Sequence, residues 1–132
     1  MPVLWTIRSY VSARGVDEIQ AWYTLQSPRV QAKFLTRLRF LAQTPRSGWK
    51  REPFDLLRGE CAGLGEIRFN ADGVQHRPLG FFSPGNVFTI VFCAREKGGR
   101  FQPINACAIA LDRKLEVESD VRRCRISTFP LE

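Results

Sequence analysis

Several ingredients of common site chemistry are scarce in this sequence. There is one histidine, His76, and none of the four cysteines stands in a Cys-x-x-Cys pair, so a zinc set cannot be assembled by spacing. No metal ligand is therefore assigned, and no cofactor. Gly-x-Ser-x-Gly, a Walker loop and His-x-x-x-His are all missing, and Gly98-Gly99 beside Lys97 reads as a plain turn. No stretch approaches eighteen apolar residues, and the N-terminal MPVLWTIRSYV has no long apolar segment. Neither a membrane span nor an export signal is expected. Cys93 and Cys107 sit in apolar runs, so the cysteines (with Cys61 and Cys124) are expected as free buried thiols in a reducing cytoplasm and not as a disulfide framework.

What is abundant is positive charge. Twenty Lys and Arg face thirteen Asp and Glu across 132 residues, a net of +7. Most of it is local. Residues 29–58 carry Arg29, Lys33, Arg37, Arg39, Arg46, Lys50, Arg51 and Arg58 against Glu52 and Asp55, a net of +6 in one block. Such a face attracts a polyanion or an acidic protein.

The coarse pattern predicts one domain over 1–132. Residues 3–11 alternate as a strand. Asp17 opens a helix through Ile19, Trp22 and Leu25, and Ser27-Pro28 opens another running to about Gln43. Val30, Phe34, Leu38 and Leu41 form its apolar stripe, while Arg29, Lys33 and Arg37 recur on another face. Residues 44–63 are irregular but anchored by Trp49, Phe54, Leu56 and Leu57. Strand-like runs follow at 64–70, 74–82 and 87–95, the last nearly all apolar and so expected in the centre of the sheet. Pro103 then opens a final helix with Ile104, Ala108, Leu111 and Leu115 facing inward. The expected fold is α+β, with two N-terminal helices on a small, mostly antiparallel four-stranded sheet and a C-terminal helix.

One hairpin carries the candidate chemistry. A two-residue Asp72-Gly73 turn sets Arg68 opposite Arg77, and a four-residue loop shifts the register by one pair. Either way the two side chains share a face. Like charges so placed need a partner. Glu66, on the same face, is one; a phosphate or an acidic side chain is the other, with Lys50, Arg51, Arg95 and Lys97 flanking. His76 points to the opposite face, into the core.

The order GLGEIRF, VQHRPLGFF, VFTIVFCAREK and INACAIA resembles the RelE/ParE toxin superfamily in its phage-derived, HigB-like branch, over about residues 15–118. The resemblance implies the toxin of a type II toxin–antitoxin pair: a ribosome-dependent mRNA endonuclease working by metal-independent attack of a 2′-hydroxyl. The alternatives are a gyrase-directed toxin and a non-catalytic phage-derived binding protein. It implies catalytic roles for Arg68, Arg77 and Lys97. Lys50, Arg51, Arg95, Arg29, Lys33 and Arg37 would contact nucleic acid. The partners implied are an acidic, helix-turn-helix antitoxin and mRNA on the ribosome. His76 stands where the family has Tyr, Pro78 follows Arg77 and so marks an edge or a bulge, and near the C-terminus no Tyr or His stands ready as acid or base, leaving Arg122, Arg123 and Arg125 as the candidates.

Overall fold

The alternating residues before Val11 form strand β1 (Thr6–Tyr10) in a computed structural model that describes residues 2–132. Asp17 accepts hydrogen bonds from the N–H groups of Ile19 and Gln20 and so caps α1 (Glu18–Thr24). Ser27 caps α2 (Pro28–Ala42) through the N–H of Val30, and Pro28 occupies the first turn, where a missing N–H costs nothing. Val30, Phe34, Leu38 and Leu41 are the buried stripe of α2, at the spacing the sequence shows.

The chain continues through β2 (Phe54–Leu56), β3 (Gly65–Ile67), β4 (Phe69–Ala71), β5 (Val74–Ser83), β6 (Val87–Lys97), β7 (Arg100–Gln102), α3 (Ala106–Ser119) and β8 (Cys124–Ile126). The sheet order is β2-β3-β5-β6-β1-β8, with β4 following β3 along β5, and β7 pairing with β6. β1 runs parallel to β6, placing Thr6 beside Val87 and Ile7 beside Phe88. The other named pairings are antiparallel.

These findings correct the expected four-stranded sheet. The described residues form an eight-stranded, mixed sheet with strands spread along the chain. The additions β2, β7 and β8 are each three residues long. A segment that short has no readable period, and it becomes a strand only because a neighbour offers it a ladder. Helices cover both faces. On one, α1 and α2 bring Ile19, Phe34 and Leu38 against Ile7, Phe69, Phe88 and Ile90. On the other, Ala106, Cys107 and Ala110 of α3 pack with Leu79, Phe81, Val91 and Ala94.

The inward face of α3 is also corrected. Ile104 precedes the helix and is 74% exposed, and Leu115 is 63% exposed. The helix starts at Ala106, so small residues take the contact and let it lie close to the sheet. Opposite it the β5–β6 register shifts between Leu79 and Gly80, leaving Val91 as the extra residue of a bulge. A Cβ on Gly80 would lie 2.3 Å from the Thr89 carbonyl oxygen, which only glycine avoids. Arg113 of α3 donates to the Val91 carbonyl at 2.9 Å, satisfying the bulged residue.

Cys107 meets Cys61 in a disulfide, contrary to the expectation of free thiols, while Cys93 and Cys124 stay free. An apolar run gave no sign that Cys107 would face the turn holding Cys61. The C-terminal segment, unassigned from sequence, crosses to α2. There Phe129 is buried, and Arg39 and Gln43 donate to the carbonyls of Pro130 and Leu131 at 2.9 and 3.1 Å. No helix among the described residues is long and apolar enough to cross a membrane.

The disulfide closes a separation of 46 residues between α3 and the turn before β3. Cys107→Ala, or reduction with thiol, is expected to lower unfolding stability by about 2–4 kcal/mol. Urea titration with and without reductant measures this, and a midpoint indifferent to both changes refutes it.

Candidate nucleic-acid interface

The hairpin takes the tighter of its two registers. Ala71 pairs with Val74, Asn70 with Gln75 and Phe69 with His76. Asp72 and Gly73 both have positive φ, 53° and 76°, as a two-residue hairpin turn of the primed type requires. The same register continues at Glu66–Leu79, so Arg68 lies opposite Arg77 and both share a face with Glu66. Between β3 and β4 the ladder is interrupted. The Arg68 N–H donates instead to the Pro53 carbonyl at 2.8 Å, and Pro78, which has no N–H, stands across the gap.

The two arginines are held by the protein itself. Glu66 pairs with Arg68 and lies 3.9 Å from Nε of Arg77. Arg77 donates from Nε to Glu96 Oε1 at 3.1 Å, from Nη1 to the His76 carbonyl at 2.8 Å and from Nη2 to Gln75 Oε1 at 3.2 Å. Arg77 and Glu66 are each only 3% exposed. Arg77 therefore lies inside the sheet layer and not at the open surface that contact with a scissile phosphate expects. Burial pushes the Glu66 carboxyl above its usual range, and Arg68 and then Arg77 oppose that shift.

The remaining candidates are dispersed. Lys97 is exposed at the end of β6, opposite Arg100. Arg95 is exposed and pairs across the ladder with His76, so it lies on the sheet face opposite the Arg68–Arg77 cluster. Lys50 is exposed, Arg51 pairs with Asp55 at 3.0 Å, and Arg29 reaches Asp72 of the hairpin turn at 3.4 Å. Arg122 pairs with Asp120, Arg123 with Glu116, and Arg125 with Asp17, so all three serve the C-terminal architecture. Among the described residues, no three His, Cys, Asp or Glu side chains gather as a metal site.

Lys33 and Arg37 differ from these in where they lie. Like Lys50, Arg95 and Lys97, they have no acidic partner among the described residues. They lie one turn apart on α2, beside an open groove of about 550 Å³ lined by Ala32, Lys33, Thr36, Arg37, Phe40, Phe69 and Asn70. A second, smaller hollow of about 90 Å³ shares Arg37, Phe69 and Asn70 and reaches Glu52, Arg68 and Arg77. The two hollows form a basic trough between α2 and the hairpin. Sequence reasoning found its cations but not Phe40, Phe69, Asn70 or Glu52. Phe40 did carry a signal: an aromatic residue off the Val30–Phe34–Leu38–Leu41 stripe.

Comparison with models of known protein families, with curated proteins and with solved structures finds no match in any of the three.

His76 stacks on Phe69 with centroids 4.9 Å apart and planes 12° apart, and Trp22 meets its edge at 6.2 Å. Its Nε2 is buried without a partner. Burial first, then Arg95 and Arg77, hold the imidazole below its ordinary value of 6.5, so the fold favours the neutral ring. The stabilisation is present above the unfolded value and is lost as pH falls through the lower folded one. Glu66 works in the opposite sense, its contribution being lost as pH rises through its raised folded value. His76→Phe is accordingly expected to lose less Tm than the wild type between neutral pH and about pH 5. Equal losses would overturn the assignment.

A second expectation concerns the enclosed cation. Arg77→Ala leaves Glu66 and Glu96 facing each other without it and should cost about 3–5 kcal/mol. Arg77→Met combined with Glu66→Leu should recover much of that loss, because it removes the buried charge together with its partner. Denaturant unfolding of the three proteins tests this. An Arg77→Ala protein as stable as the wild type would contradict it.

Proposed function

We propose that this protein binds single-stranded RNA along the trough between α2 and the β4–β5 hairpin, acting as the toxin of a type II toxin–antitoxin pair that the sequence resembles. The observation carrying this reading is the pair Lys33 and Arg37, free of acidic partners among the described residues and aligned beside an open groove. Two cations four residues apart on a helix are spaced by about 6 Å along its axis. That suits consecutive charges on an extended backbone, and the net of +6 over residues 29–58 speeds encounter with it. An acidic antitoxin segment would cover the same face, and the target would be mRNA on the ribosome.

Cleavage would need the two hairpin arginines to meet the scissile phosphate. Arg77 is spoken for by Glu66 and Glu96. Arg68 can reach a phosphate only by releasing Glu66. These three ion pairs favour a second reading, in which the chain is a non-catalytic binding protein that uses the same trough. Induction in growing cells followed by mapping of mRNA 5′ ends separates the two: new ends with growth arrest support cleavage, and arrest without them supports binding alone.

Binding is tested directly by fluorescence anisotropy with short single-stranded RNA at several salt concentrations. Lys33→Gln with Arg37→Gln should weaken binding and flatten the slope of log K against log salt by roughly 1.4, from two lost phosphate contacts on a single strand. An unchanged affinity and slope would sink the RNA reading of this face.

A further inference from the structure

We infer that the groove between α2 and β4 holds an unpaired nucleobase stacked on Phe40, so that the site recognises bases as well as phosphates. This rests on the RNA-binding reading above and goes beyond it by naming a base subsite. Phe40 is 53% exposed although it is a large aromatic residue on a well-packed helix. It follows Lys33 by seven residues and so continues the same helical face as Lys33 and Arg37. Its ring makes none of the aromatic contacts that tie Phe34, Phe69 and Phe88 into the core.

The groove has the composition such a subsite requires. A flat apolar surface comes from Phe40, with Phe69 in the floor, and the positive rim comes from Lys33 and Arg37. Asn70, exposed on β4, adds an amide that can both donate and accept hydrogen bonds at a base edge. Aromatic platforms beside a basic track are the general means of binding single strands, since every base has a π face to stack. An open volume of about 550 Å³ admits a base with its sugar. Charge complementarity alone would also admit an acidic peptide, which could pack a side chain on the ring, but cations about 6 Å apart along the helix match the spacing of consecutive backbone phosphates beside a stacked base. Nucleic acid uses both.

The test compares a short oligoadenylate with an abasic sugar–phosphate strand of the same length, by anisotropy, on wild-type protein and on Phe40→Ala, Phe40→Leu and Phe40→Trp. The wild type should prefer the strand with bases. Phe40→Ala should lose roughly 5- to 150-fold in affinity for that strand, the range for one base–aromatic stack, and nothing for the abasic one. Phe40→Leu, which keeps apolar volume but no π face, should behave like the alanine variant, and Phe40→Trp should retain binding with quenched indole fluorescence. Thermal unfolding of all variants should match the wild type, because the ring is exposed. If Phe40→Ala binds both strands as the wild type does while Lys33→Gln with Arg37→Gln is weakened, the base subsite is wrong and the RNA-binding reading stands. If neither strand binds and an acidic peptide does, both are wrong.

Discussion

The Arg77 guanidinium, enclosed by Glu66 and Glu96, sits where three strands meet and their pairing is interrupted. β3 brings Glu66, β5 brings Arg77 and Gln75, and β6 brings Glu96. Removing any one charge leaves another desolvated without compensation, which costs more than the assembled cluster contributes. The cluster thus acts through specificity of arrangement. It ties the hairpin to β6, and the hairpin in turn sets β4, with Phe69 and Asn70, along the groove beside α2. The trough depends on that placement, since its floor is β4 and its wall is the helix.

A second constraint operates on the other sheet face. The bulge at Val91 needs glycine at position 80 and a donor for the displaced carbonyl, which Arg113 supplies from α3. Arg113 also lies over the Tyr10 ring at 4.5 Å, and Tyr10 donates to Glu116, so one polar seam ties α3 to β1 and β6. With the disulfide to Cys61, α3 is held at two points by specific bonds as well as by its small apolar face. The protein therefore carries fixed charge pairs on the α3 side and along the C-terminus. On α2, Lys33 and Arg37 are left without an acidic partner among the described residues.

That division bears on function. Several cations that look available in the sequence are occupied: Arg68, Arg77, Arg122, Arg123 and Arg125 each have an acidic partner close by. Counting arginines in a motif overstates the charge open to a ligand, because a guanidinium already bonded to a carboxylate must exchange partners to bind another anion. The pair on α2 has no such exchange to make.

Local chemistry was legible in the sequence wherever a residue acts on its near neighbours. The caps at Asp17 and Ser27, the buried stripe of α2, the Asp72-Gly73 turn, the shared face of Arg68 and Arg77 and the inward turn of His76 all follow from period, parity and turn geometry. What the tertiary structure alone decided involves partners distant along the chain. These are the three-residue strands β2, β7 and β8, the meeting of Cys61 with Cys107, the enclosure of Arg77 by Glu96, and the groove in which Phe40 stays exposed. Each depends on which surfaces are brought together when the sheet closes. A short segment, a lone thiol or a single ring has no periodic signature to announce that meeting.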